Sequence, residues 1–323
     1  MEKIYILGAG VSGIYSKLTN RNSMIIDRSD EIMLNSRLIN IVSNDENALL
    51  KRKVDIKDEV LDIDFGNRLI KTKGKTYSYD KIIVALGSSQ SIIPGTLSFN
   101  NLDSVYKIRD ISKQAKRICI IGGGYLGVEL AGIFKEKSIL ISPKIIERNE
   151  KAGGYIEKIL TNLGVSIIKD RVNEYKDKKV ILKNSEIECD LAIYAGGVTG
   201  NSLISKLNIK NKRSSIIVDR YLKSVEYDDV YACGSSAYFD TPMTVYNAMR
   251  SGITAMKNLM GNNIEYRPDE RNIVNINNKF YIITNKKISG SIASPFIKII
   301  KNARATSTDK AIEKINSIIN NSK

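Results

Sequence analysis

KIYILGAGVSGIYSKLTNRNSMIID, residues 3–27, decides the fold. Its first five residues, Lys3–Leu7, read as a buried strand, because an apolar run this short between polar neighbours fits a strand covered on both faces. Gly8-Ala9-Gly10-Val11-Ser12-Gly13 follows, then a short helical stretch to about Asn20. A second strand, Ser23–Ile26, ends at Asp27. In such a strand–turn–helix–strand unit the glycines permit a tight turn, close approach of backbone to a pyrophosphate, and close packing of helix on strand. The helix N-terminus offers amide donors and a positive dipole end to phosphate. Asp27, with Arg28 beside it, stands where a carboxylate accepts hydrogen bonds from ribose hydroxyls.

RICIIGGGYLGVELAGIFKEKSILIS, residues 117–142, repeats the arrangement. Strand 117–121 runs into Gly122-Gly123-Gly124-Tyr125-Leu126-Gly127, a helix is expected over 128–137, and a strand over 138–141. Two such units imply two nucleotides or one split site. The second unit lacks the acidic residue after its second strand and carries Ser142-Pro143-Lys144 instead. A ribose 2′-hydroxyl loses its usual acceptor there, whereas a 2′-phosphate is tolerated, helped by Lys144 or Arg148. The alternative, that the ribose is held otherwise and these basic residues are simply solvated, stands equally.

Between and after the units, residues 52–83 alternate or cluster β-branched side chains, with turns at Phe65-Gly66-Asn67 and Lys73-Gly74-Lys75. Asp80–Gly87 is a buried strand entering a small-residue turn. A helix is expected over 155–163, strands over 165–168 and 191–195 (the latter entering Gly196-Gly197), and a hairpin over 180–182 and 186–188. The strand 230–232 enters Gly234-Ser235-Ser236, and 241–260 reads as a turn and a long helix. A further hairpin is expected at 272–276 and 279–284, and an amphipathic helix over 310–319.

The 323 residues are 42 % apolar, enough for two or three packed units. No histidine is present, which excludes His triads, His metal sites and a His base. The three cysteines, Cys119, Cys189 and Cys233, form no C-x-x-C pair. A bound cofactor is therefore the expected carrier of any chemistry. The net charge of +15 favours anionic surfaces or ligands, but no nucleic-acid motif accompanies it, and none is expected as partner. No signal peptide or bilayer-length apolar run is visible. The expectation is a cytoplasmic protein, with the inner face of the cell membrane as its other station.

Four motifs in order resemble the two-dinucleotide-binding-domain flavoproteins, the pyridine nucleotide-disulfide oxidoreductase superfamily. They are Gly8–Gly13 with Asp27; Ala85-Leu86-Gly87; Gly122–Gly127 with Glu129; and Val230-Tyr231-Ala232-Cys233-Gly234. GGGYLGVELAG and MLNSRLINIVS (33–43) are most similar to the type II NADH dehydrogenase and sulfide:quinone reductase branch. The resemblance implies an α/β fold of two Rossmann-like domains, the NAD(P) domain inserted in the FAD domain, plus a small C-terminal α+β unit. It divides the chain into an FAD domain (1–107 and 200–272), an NAD(P)H domain (108–199) and a C-terminal region (273–323) in place of a large dimerisation domain.

By the same resemblance FAD is bound by Gly8, Gly10, Val11, Ser12, Gly13, Asp27 and Arg28. The turn Ala85-Leu86-Gly87, Gly234, Ser235 and Tyr246 join them. NAD(P)H is bound by Gly122, Gly124, Tyr125, Leu126, Gly127 and Gly197, and Glu129 is the catalytic carboxylate beside nicotinamide or flavin. The chain departs from the family at Leu86 (for threonine), at Ser235 (for aspartate) and at Tyr246 and Arg250 (for the two glutamines of the quinone-side motif). Cys119 and Cys189 are expected to be structural, while Cys233 is placed near enough to approach the flavin. The implied activity is NAD(P)H dehydrogenation with a quinone as acceptor. A soluble oxidase or ferredoxin-type reductase and a non-catalytic, degenerate nucleotide-binding protein are the alternatives. Backbone amides of a helix after Gly234 would stabilise the reduced flavin. The basic stretch Phe296–Ile319 would touch a membrane surface or, alternatively, pack on the protein's own core. A homodimer is a further expectation.

Overall fold

Two five-stranded parallel sheets are built alike in the computed structural model, which describes residues 2–33, 35–44, 49–90, 92–240, 244–284, 288–292 and 309–321. In the first, Ile4–Leu7 lies between Met24–Asp27 and Lys81–Val84, with Ile56–Lys57 and Val230–Ala232 at the edges. In the second, Ile118–Ile121 lies between Ser138–Ile141 and Leu191–Tyr194, with Ser166–Ile168 and Leu97–Ser98 at the edges. Both central strands are buried at every position, as all-parallel sheets require when helices cover both faces.

The helices are α1 (Val11–Thr19), α2 (Asn35–Asn44), α3 (Leu102–Gln114), α4 (Tyr125–Phe134), α5 (Glu150–Asn162), α6 (Val245–Leu259) and α7 (309–321). Helices α1 and α4 each follow the central strand of a sheet through its glycine turn. Helix α4 starts three residues before the expected 128, because Gly124 of the glycine motif is itself the N-cap. It ends at Phe134, where Lys135 turns to φ 51° and a 3-10 turn takes over. Helix α5 starts at Glu150 rather than 155: the Asn149 side chain accepts the Ala152 N–H at 3.0 Å, an N-cap that offsets part of the cost of Gly153 and Gly154 inside the helix.

The likeness of the two halves extends past the glycines. Each sheet has an antiparallel three-stranded meander inserted between an edge strand (Ile56–Lys57 or Ser166–Ile168) and the strand beyond the central one (Lys81–Val84 or Leu191–Tyr194): Val60–Asp64, Leu69–Thr72 and Thr76–Ser78 in the first, Val172–Lys176, Lys179–Leu182 and Glu186–Glu188 in the second. The hairpin expected at 180–188 thus has a third strand. An aspartate closes each meander. Asp80 accepts the Lys3 N–H at 2.6 Å; Asp190 accepts the N–H groups of Lys116 at 2.8 Å and Arg117 at 3.1 Å. Those two amides hold the Asp190 carboxyl below the usual carboxylate range. Between the halves the chain crosses twice, as Ser88–Gln90 and Val198–Gly200, which pair antiparallel.

The last strands, Asn272–Ile276, Lys279–Ile283 and Ile288–Ile292, form an antiparallel sheet against α4. Gly132 of α4 makes room for it, since a Cβ there would stand 2.8 Å from Ile276 Cγ2. Helix α7 lies elsewhere. Its Ala311, Ile312, Ile315 and Ile319 are buried in the core that holds Ile4, Ile6, Met256 and Leu259 of the first half. Lys53 fastens it through its N–H, donated to Asn316 Oδ1 at 2.7 Å, and its amine, donated to Asn320 Oδ1. Burying three isoleucines is worth about 1.5–3 kcal/mol each, so the apolar stripe of α7 is used by the protein's own core. The remainder of the basic stretch, residues 293–308, lies outside the described residues. Among the described residues no helix is long and apolar enough to cross a membrane.

Candidate dinucleotide sites

In the first half the glycine turn is fixed by contacts that leave no room for side chains. Gly8 takes φ +107°, and a Cβ on it would overlap the Ala85 carbonyl. That places the turn Ala85-Leu86-Gly87 directly against the motif, where Asn201 Nδ2 donates to the Leu86 carbonyl at 3.0 Å. A Cβ on Gly13 would overlap the Gly8 carbonyl, so α1 sits hard on the strand end. Gly10 differs: nothing lies within 4 Å of its Cβ position. It is the N-cap of α1 and no side chain caps that helix. No side chain caps the first-turn amides, those of Val11 and Ser12 among them, and the space beside Gly10 is free, a helix start of the kind that binds anions.

Asp27 is at the end of the second strand as expected. Its carboxylate accepts the N–H groups of Ala9 at 2.7 Å and Ser29 at 2.9 Å. It also pairs with Arg52, whose Nη2 stands 2.9 Å away. Arg28 turns outward to Glu59 at 3.5 Å, both side chains well exposed. Sequence reasoning missed Arg52, which carries no motif and lies in a stretch read only as β structure. Its side chain is 3 % exposed, and its Nε and Nη1 have no hydrogen-bond partner among the described residues. A buried donor left unsatisfied costs about 1–3 kcal/mol.

The late motif comes to the same place. Gly234, at φ +59°, faces Ser12, and a Cβ on it would stand 2.5 Å from Ser12 Oγ. Its N–H donates to Ser251 Oγ at 3.0 Å, and the Ser235 carbonyl accepts from Ser215 Oγ at 2.9 Å. Helices α1 and α6 touch here: Ser16 Oγ donates to the carbonyls of Ser12 at 3.0 Å and Gly252 at 2.9 Å. The element after Gly234 is a three-residue 3-10 turn, Gly234–Ser236, rather than a helix. The next helix start is that of α6, capped by the Thr244 side chain. Tyr246 lies on its first turn, with the Arg250 guanidinium 5.5 Å from its ring centroid and 5.9 Å from that of Tyr266. Burial pushes the Tyr266 phenol up to about 12, and its hydroxyl donates to the Asn247 carbonyl at 3.1 Å.

Cys233 does not approach this open side. It is 0 % exposed, its Sγ 3.9 Å from Ser16 Oγ beneath α1, and burial pushes its thiol up to about 11. Cys119 and Cys189 are buried together in the second half. The hydrogen bond that Cys119 donates to Cys189 is the main cause that raises the Cys119 thiol.

The second glycine turn repeats the first almost atom for atom. Gly122 takes φ +119° and its Cβ position lies 2.9 Å from the Ala195 carbonyl oxygen; Gly127 packs on the Gly122 carbonyl; Gly124, an N-cap with no side-chain cap, is open. Gly197 is open as well. Tyr125 and Leu126 form the first turn of α4. Burial raises the Tyr125 phenol, with Arg148 and a hydrogen bond from Asn272 opposing. The segment after the second strand folds down on the turn: Ser142 Oγ donates to the Lys144 carbonyl, and the Ile146 N–H to the Gly123 carbonyl, both at 2.8 Å. Lys144 lies 3.0 Å from Glu150 and Arg148 3.7 Å from Asp240, at exposed positions. Glu129, on α4, accepts the Asn275 N–H at 2.7 Å, which ties this helix to the C-terminal sheet.

Two open helix starts, each backed by a glycine that no other residue can replace, are what the superfamily resemblance requires. The model of the pyridine nucleotide-disulphide oxidoreductase family matches residues 2–252. The chain belongs to this family. It is 26 % identical to an NADH oxidase of Enterococcus faecalis, over 82 % of this chain and 72 % of that protein. It is 28 % identical to an NADH-rubredoxin oxidoreductase of Clostridium acetobutylicum, over 82 % of this chain and 76 % of that protein. Among solved structures, NDH2 of Plasmodium falciparum in complex with NADH superposes with a TM-score of 0.79 at 14 % identity, covering 97 % of each chain. FAD and a nicotinamide nucleotide are the cofactors of this family, and the uncapped helix starts at Gly10 and Gly124, with free space beside both glycines, and the unpaired donors of Arg52 fit nucleotide ligands.

Proposed function

We propose that this chain, an NAD(P)H-dependent flavoprotein oxidoreductase by its family, passes its electrons to a small acidic electron-carrier protein. The observation that carries this is the net charge of +15, which steers an anionic partner and speeds its encounter; the rubredoxin-linked relative supports it. FAD, when bound, supplies the centre that takes hydride from the nicotinamide and passes electrons onward. In this reading the residues 1–107 and 200–272 hold FAD, 108–199 hold NAD(P)H, and the C-terminal region 273–323 supports both, its antiparallel sheet lying on α4 and α7 closing the core of the first half. The crossing into the NAD(P)H domain is better drawn at 88–90, since Leu97–Ser98 pairs with Leu191–Tyr194. Gly8, Gly10, Val11, Ser12 and Gly13 would bind the FAD pyrophosphate and Asp27 its ribose. Ala85-Leu86-Gly87, Gly234 and Ser235 would line the flavin side, and Tyr246 would bound it at the start of α6. Arg28 would remain at the solvent edge.

Gly122, Gly124, Tyr125, Leu126, Gly127 and Gly197 would hold NAD(P)H. Glu129 would be the carboxylate that meets the nicotinamide, its rotamer kept by the Asn275 N–H. The absence of an acid at Ser142 supports acceptance of NADPH as well as NADH. A second reading, a quinone acceptor at a membrane face and hence peripheral membrane binding, is favoured by the end-to-end superposition on NDH2. Anaerobic mixing with NADH or NADPH should bleach the flavin absorbance, and the bleached protein should be reoxidised fastest by an acidic rubredoxin or ferredoxin. That advantage should fade with added salt. Faster reoxidation by a soluble quinone or by oxygen would remove the carrier reading, and no bleaching by either nucleotide would remove both.

A further inference from the structure

Arg52 is the one strongly buried guanidinium among the described residues with donors left over, and its place in the fold says what they are for. The strand Leu49–Lys51 pairs with Glu31–Met33, and the Arg52 N–H donates to the Asp30 carbonyl at 2.8 Å. That brings the side chain over the end of the strand Met24–Asp27. Nη2 is spent on Asp27 Oδ2 at 2.9 Å. Nε and Nη1 are not spent at all. The same Asp27 oxygen also accepts the Ala9 N–H, and its other oxygen the Ser29 N–H. The carboxylate is thus largely occupied by the protein, and the corner it occupies offers donors where a dinucleotide site of this type ordinarily offers an acceptor. Ala9 lies between Gly8 and the open Gly10, so this corner adjoins the open start of α1.

We propose that Arg52 binds the adenosine half of the dinucleotide held by the first unit, its Nε–H and Nη1–H donating to acceptor atoms of the ribose or adenine. Asp27 then orients the guanidinium as well as meeting the nucleotide itself. The inference rests on the reading that this unit holds FAD. Its chemistry is specific to arginine: the planar fork holds Asp27 with one nitrogen and presents two others in fixed directions, which an ammonium does not do.

The test is equilibrium binding to flavin-free protein, followed by flavin fluorescence for FAD and by competition for ADP, which carries the adenosine half without the flavin. Arg52→Lys keeps a positive charge beside Asp27, and Arg52→Met removes it. Both variants are expected to weaken FAD roughly tenfold or more, the scale of lost charged hydrogen bonds. ADP should weaken by the same factor, while NADH binding to the second unit stays unchanged. Parental FAD and ADP affinities in Arg52→Lys would overturn the proposal and leave Arg52 as a charge partner of Asp27 only. So would a loss confined to FAD, since it would move the contact off the adenosine. A variant with a lowered melting temperature but parental ADP affinity in its folded fraction also counts against it. A parental protein that binds neither FAD nor ADP would instead sink the cofactor reading itself, and this inference with it.

Discussion

The two glycine-rich units share a skeleton and part at the ends of their second strands. The first ends in Asp27, engaged by Arg52, Ala9 and Ser29; the second ends in Ser142, whose hydroxyl donates to its own loop at Lys144. The order of four strands, glycine conformation, meander and closing aspartate are the same in both, and only the outer edge strand differs, Val230–Ala232 coming last in its sheet and Leu97–Ser98 first in its own. Packing therefore constrains the skeleton equally in the two halves, while the corner that meets a nucleotide's adenosine is free to differ. The supports differ as well. Helix α7 closes the core of the first half, whereas the C-terminal sheet lies on α4 of the second.

That difference in support yields the largest expected effect. Deleting residues 309–321 strips the partners of Ile4, Ile6 and Met256 and should destabilise the first half by about 5 kcal/mol. Hydrogen exchange should quicken in the strands around Ile4–Leu7 before those around Ile118–Ile121; uniform quickening would deny that α7 serves one half. Next come the packed glycines. Gly13→Val and Gly127→Val place atoms on the carbonyls of Gly8 and Gly122, and each should cost about 3 kcal/mol or more in thermal unfolding. The open glycines separate fold from binding. Gly10→Ala and Gly124→Ala should cost about 1 kcal/mol or less, yet weaken FAD and NAD(P)H respectively by roughly tenfold. If either substitution weakened both ligands alike, the two-site division would fail.

Ser142→Asp would make the second corner resemble the first. It should shift the NADPH-to-NADH preference toward NADH by about tenfold, as the ratio of kcat/KM, because a carboxylate accepts from a 2′-hydroxyl and repels a 2′-phosphate. An unchanged ratio would mean that the ribose is recognised elsewhere. The smallest effect concerns Cys233. Its thiol is held near 11 by burial, above the ordinary value of about 8.5. Because the folded state holds this proton more tightly, the associated stability is intact at neutral pH and declines as pH rises through about 8.5 toward about 11. The melting temperature of the parent should fall over that window more steeply than that of Cys233→Ala, and native protein should resist alkylation at Cys233 at pH 8.

Much of the site was legible because each glycine does one mechanical task that sequence spacing records. Gly8 and Gly122 need a positive φ beside a neighbouring carbonyl, and Gly13 and Gly127 need a missing Cβ. Helix α3 was not legible: its start is marked by Asn101, which accepts the Ser104 N–H at 2.8 Å, inside a polar stretch that resembles a loop. Arg52 was hidden for a different reason. Nothing along the chain reveals that a solvated-looking RKVD segment folds its first side chain under a strand end 25 residues away in sequence.

The sequence by itself determined two nucleotide-binding units, their order and the missing acid of the second, because local backbone geometry dictates which residues those turns accept. Tertiary structure alone decided that α7 faces the protein's own core, that Cys233 is sealed beneath α1 and α6, and that Arg52 meets Asp27. Each depends on which surface lies opposite a side chain, and an amphipathic stripe, a thiol or a guanidinium carries no record of its partner.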